Sequence, residues 1–76
     1  MRHVRHINCG ERIRDARKSA GLTQVELAAK VGISQPTVSE IECGERGVPI
    51  PLLCRIADAL ALDWRYDGRL TFRSRG

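Results

Sequence analysis

Apolar positions recur along most of the chain at the three- and four-residue spacing of helices, in short runs divided by glycines. Ile13, Ala16 and Ala20 define the inner side of a first helix. Asn8 is its expected cap, with Glu11 as reciprocal partner and Gly21 as a left-handed stop. Thr23-Gln24-Val25-Glu26 is a second capping box, opening a helix whose inward residues are Leu27, Ala28 and Val31 and which stops at Gly32. Ser34 opens a third helix that tolerates Pro36 in its first turn, buries Val38 and Ile41, and ends at Gly44. Pro49 and Pro51 lead into a fourth, with Leu53, Ile56, Ala57 and Leu60 at core spacing. Helices this short are stable only through packing on one another.

The last stretch changes period. Trp64 to Phe72 alternates around an Asp67-Gly68 turn signal and predicts a β-hairpin. A two-residue loop would mix polar and apolar side chains on each face. A three-residue loop from Asp67 to Arg69 instead gathers Trp64, Tyr66, Leu70 and Phe72 on one side, and is the expected register. Such a ribbon is unstable alone and must pack on the helices or on another copy.

The predicted fold class is therefore all-α: a compact bundle of four to five short helices with a short C-terminal β-ribbon or extended tail. The expected division is a basic N-terminal arm (1–7), a helical domain (8–63) and the tail (64–76). Composition agrees: of 76 residues, 42% are apolar and 29% charged, with one Phe, one Tyr and one Trp, so the core is aliphatic. A chain this small buries only about 60% of its unfolded surface, which leaves little room for an enclosed catalytic pocket beside a core. No enzyme activity and no cofactor are expected. No apolar run reaches the roughly 20 residues of a bilayer span, and the start lacks the apolar stretch of an export signal, so a cytoplasmic location away from membranes is expected.

Three cysteines, Cys9, Cys43 and Cys54, form an odd set that suits reduced thiols better than a disulfide framework. His3, His6 and Cys9 are spaced by three and on a helix would share a face. A structural zinc site needs four ligands, usually with a second close pair, and none is present, so no metal site is assigned. A nucleophilic role for Cys9 with His3 or His6 lacks a third orienting group.

Charge is unevenly placed. Residues 1–21 carry six basic and two acidic side chains, residues 22–44 one basic and three acidic, and residues 63–76 four basic and two acidic. Basic ends around a less basic middle suit a polyanion gripped from its flanks, although charge alone is equally well explained by solvation.

Most of the chemical information lies between Gln24 and Gly44, which reads Gln-x-x-Leu-Ala-x-x-x-Gly-Ile-Ser-x-x-x-Val-Ser-x-Ile-Glu-x-Gly. Small Ala28 permits close helix approach, Gly32 supplies a positive φ, Ile33 fills the space beneath the turn and Ser34 caps the next helix. The pattern is a helix-turn-helix, the unit that sets its second helix in a DNA major groove. With Val38 and Ile41 inward, Pro36, Ser39 and Glu40 face out and Gln35 lies at the leading end. That face is polar and free of long aliphatic side chains, as base-edge reading and plain solvation both require.

From about Glu11 to Asp63, about 70% of the chain, the sequence resembles the Cro and phage-repressor (XRE) family. The resemblance implies a DNA-binding domain acting as a homodimer on a pseudo-palindromic operator, and hence a nucleoid-associated transcriptional regulator, most simply a repressor. Gln24 matches a glutamine that contacts phosphate and braces the recognition helix. Gln35 matches a base-reading amide, suited to adenine. Pro36 offers apolar contact only; Thr37 and Ser39 reach phosphate or base. Glu40 either accepts from cytosine or filters specificity. Arg17 and Glu42 match a partly buried ion pair between the first and third helices.

Departures from the family are Cys43 in place of asparagine and Glu45 in place of a basic residue, which leave Arg46 as the sole cation in the loop that grips phosphate. Arg2, Arg5 and Arg12, or Arg69, Arg73 and Arg75, are the alternative sources of positive charge. The dimer candidates are Leu60, Trp64, Tyr66, Leu70 and Phe72. An antitoxin of this family would instead present its tail to a separate toxin protein.

Overall fold

In the computed structural model, which describes residues 6–75, the elements run β1 (His6–Ile7), α1 (Gly10–Ser19), α2 (Gln24–Val31), α3 (Gln35–Glu42), β2 (Val48–Pro49), α4 (Ile50–Ala59), β3 (Leu62–Tyr66) and β4 (Leu70–Ser74). The helices pack around Ile13, Leu27, Val38, Ile41, Leu53 and Ile56, each 2% exposed or less. The fold is the expected bundle of short helices with a C-terminal ribbon.

Helix α1 does not begin as the sequence suggests. Its N-cap is Cys9, without a side-chain capping bond, and Asn8 is exposed outside the helix. The cause is packing at Gly10: a Cβ there would lie 2.1 Å from the Ile41 carbonyl oxygen. Only a residue without a side chain lets α1 start directly against the end of α3, so the close approach, and not a capping box, sets the boundary. At the other end the helix stops at Ser19, leaving Ala20 as an exposed cap residue, not a core position.

Two further pairings shape the ends of the bundle. Ile7 pairs with Val48 and His6 with Pro49 in a two-residue antiparallel contact that the sequence pattern does not reveal. Ile7 is 4% exposed and Val48 fully buried, so the end of the expected arm belongs to the core. His3, Arg2 and Arg5 lie outside the described residues, as does the side chain of His6. Cys9 is buried and its thiol donates to the Ile7 carbonyl at 3.7 Å. Burial pushes that thiol up to about 11, which makes it a poor nucleophile.

The hairpin has the expected three-residue loop, since Tyr66 pairs with Leu70 and Trp64 with Phe72. It starts at Leu62, two residues ahead of the expected tail. Its apolar face is turned onto the helices: Leu70 is 4% exposed, and Leu62, Trp64 and Phe72 pack on the same core. Arg75 ties the ribbon to α4, donating to Asp58 at 2.7 Å and to Asp63 at 3.0 Å. Leu60, at 8% exposed, and Leu70 are thus consumed by the monomer's own core, which corrects their place among the dimer candidates. Trp64 and Phe72 are half-buried, and Tyr66 remains 42% exposed.

Candidate nucleic-acid interface

The α2–turn–α3 unit is held by local bonds that its residue types dictate. Thr23 accepts from the Glu26 amide at 3.1 Å, while the Glu26 carboxylate accepts from the Thr23 amide at 2.8 Å. At the far end Gly32 has a φ of +83°, and its amide and that of Ile33 both donate to the Ala28 carbonyl. The Arg55 guanidinium from α4 donates to the Val31 carbonyl and so covers a terminal acceptor of α2. Ser34 then accepts from the Thr37 amide at 3.3 Å and opens α3. Two capped ends and one left-handed glycine leave the turn little freedom.

A polar chain braces α3 from behind. Arg17 of α1 makes a two-pronged pair with Glu42, Nε to Oε2 at 2.7 Å and Nη2 to Oε1 at 2.9 Å, and its Nη1 donates to the Leu22 carbonyl at 2.7 Å. The paired side chains are 9% and 2% exposed. Gln24 donates to the same Glu42 at 3.1 Å and accepts from Gln35 Nε2 at 2.7 Å. The end of α3, the start of α2 and the start of α3 are thereby joined in one line of bonds. Burial alone would push the Glu42 carboxyl up; hydrogen bonds from Arg17 and Gln24, with the charges of Arg17 and Arg14, hold it below its ordinary value. The bond to Glu42 likewise pushes the Arg17 guanidinium up, against the opposing effect of burial.

Gln35 is the hinge between brace and surface. One hydrogen of its amide goes to Gln24, which leaves a second hydrogen and the carbonyl oxygen for a two-point contact with a base edge. Pro36 is exposed beside it, and Ser39 is half-exposed. The Thr37 hydroxyl lies 2.8 Å from that of Ser34, so it is already engaged before any ligand arrives. Glu40 and Arg46 also meet each other: their side chains pair at 2.7 Å, 41% and 51% exposed. The one cation of the loop after α3 therefore has a carboxylate partner on the helix itself.

The Gln24–Gln35 bond and the Glu40–Arg46 pair are not visible as contacts in the sequence, because both join residues across a turn whose geometry the chain alone does not specify. Arg14 and Lys18 carry no sequence signal for another reason. Their spacing of four places them on one helix face, but nothing in the sequence orients that face toward Gln24.

A model of the helix-turn-helix family matches residues 13–66. An HTH-type transcriptional regulator of Methanothermobacter thermautotrophicus, itself uncharacterized, is 46% identical over 55 residues, covering 72% of this chain and 80% of the relative. The HTH-type transcriptional repressor RghR of Bacillus subtilis is 40% identical over 60 residues, covering 78% of this chain but only 43% of its own length. Among solved structures, the restriction-modification controller protein C.AhdI of Aeromonas hydrophila matches with a TM-score of 0.66 and 33% identity, over 71% of this chain and 82% of that one. The master regulator for biofilm formation SinR, solved in complex with DNA, matches with a TM-score of 0.63 and 35% identity, over 67% and 82% respectively.

Proposed function

Because the chain belongs to the helix-turn-helix family of XRE type, whose members are DNA-binding transcriptional regulators and not enzymes, we propose that it binds duplex DNA sequence-specifically and represses transcription by occupying a promoter. The observation that carries this reading is the line of bonds Arg17–Glu42–Gln24–Gln35. It holds the leading residue of α3 with part of its amide unspent, at the end of a polar, exposed face. Gln35 reads an adenine, Pro36 touches a thymine methyl, and Ser39 reaches base or phosphate. Gln24, in the first turn of α2, meets the phosphate backbone.

The active unit is a homodimer on half-sites one helical turn apart. Both outer edges of the β3–β4 hairpin are unpaired among the described residues, and Tyr66 stands exposed at its tip, which supports the hairpin as the seam between copies. Selection of bound sites from random duplexes, with the mass of the protein measured on and off DNA, tests both parts. An enriched inverted repeat bound by two chains is expected. Enrichment of no sequence would overturn the base-reading role, and a single chain on a single half-site would overturn the dimer.

A further inference from the structure

The loop after α3 is short of positive charge, and its Arg46 is paired with Glu40. A duplex-binding protein needs cations at the backbone, since neutralised phosphates supply most of the sequence-independent affinity. A second source lies on the other side of the brace. Arg14, Arg17 and Lys18 of α1 line an open recess together with Gln24, Glu42 and Cys43. Arg17 and Glu42 cancel within it. Arg14 and Lys18 are exposed and have no ion-pair or hydrogen-bond partner among the described residues, so the recess carries a net excess of two positive charges. Gln24, the residue that opens α2, adds an amide donor to the same wall.

Resting on the duplex-binding reading above, we propose that this recess seats a backbone phosphate, and that Arg14 and Lys18 supply the contacts the loop after α3 lacks. Two cations, unpaired among the described residues, and the Gln24 side-chain amide, which keeps one hydrogen beyond its bond to Glu42, line the same recess, and these are the donors a phosphodiester oxygen requires. The Arg17–Glu42 pair forms the floor and fixes the distance between this seat and Gln35. Two of the hairpin's four arginines are a poorer source. Arg75 is committed to Asp58 and Asp63, and Arg73 stands directly across from Asp63.

Two measurements on the full chain test the seat. The first is the salt dependence of duplex affinity for wild type, an Arg14→Gln/Lys18→Gln variant and a Lys30→Gln control in the last turn of α2. Loss of one phosphate contact lowers the slope of log K against log salt by about 0.9, or roughly 5-fold in affinity at 0.15 M salt, alike for all sequences. The Lys30→Gln control keeps the wild-type slope. An unchanged slope in the α1 variant, or an equal fall in the Lys30→Gln control, overturns the proposal. The second uses the native thiols, two of them exposed and one buried. Iodoacetamide labelling followed by mass spectrometry should show Cys43, on the wall of the recess, protected several-fold by saturating duplex while Cys54 on α4 labels as before. Equal labelling of Cys43 with and without duplex overturns the seat. Wild-type protein that binds no duplex at all would remove the functional reading together with it, whereas wild-type binding with an unaltered variant removes the seat alone.

Discussion

Replacing Glu42 by Ala leaves the Arg17 guanidinium, 9% exposed at its side chain, without its counter-charge and removes the acceptor that holds Gln24. Breaking one side of a buried ion pair costs about 3–5 kcal/mol. A 76-residue chain has roughly 4–11 kcal/mol of stability in all, so the variant is left marginal. Thermal unfolding followed by far-ultraviolet circular dichroism should show Tm falling by about 12 °C or more. An Arg17→Met/Glu42→Leu variant, which strands no charge, should lose less than Glu42→Ala alone. The pair also has a pH signature. The folded Glu42 carboxyl titrates below its ordinary 4.5, so the stability it contributes is whole above that pH and is lost as the pH falls through the lower folded value. Glu42→Gln should accordingly flatten the acid side of the stability profile. A drop in Tm of under about 4 °C for Glu42→Ala, with an unchanged acid limb for Glu42→Gln, would refute the brace as an energetic element.

Other substitutions separate reading from gripping. Gln35→Ala should weaken specific binding by about 1–3 kcal/mol and relax preference at one base position, as measured by competition with single-base variants of the selected site. Arg46→Ala should weaken all duplexes alike and lower the salt slope by about 0.9, whereas Glu40→Gln, by freeing Arg46 and removing a charge that repels phosphate, should raise affinity for unrelated duplexes. Gly10→Ala places a methyl group against the α3 backbone and should cost about 1–3 kcal/mol in urea unfolding, with an unchanged DNA sequence preference in the folded fraction.

The sequence was most informative where one residue type answers one local need. Thr23, Gly32, Ser34 and Gly44 occur where a cap or a positive φ is required, and each element they bound was legible from the chain. The hairpin register followed from side-chain alternation, because a shift by one residue would have exposed its apolar face. Failures came where a distant contact overruled the local signal. Asn8 had the form of a cap, yet the start of α1 is set by how closely Gly10 meets α3. Ile7 looked like part of a charged arm because its partner, Val48, is remote in the chain. Leu60 and Leu70 were candidates for a seam on apolarity alone, and only the packing of the ribbon on the helices shows where that apolar surface goes. For the interface, the residue types of α3 were legible, but the partnerships that spend or spare their polar groups were not.

In the proposed mode of binding, α3 is the element that meets DNA. Backbone amide spectra of uniformly labelled protein, recorded with and without the selected duplex, test this most directly. Shifts concentrated over residues 35–42, with Gln24 and the Arg14–Lys18 face included and the β3–β4 ladder little changed, are the predicted result. Perturbation confined to the hairpin, with α3 unmoved, would contradict it.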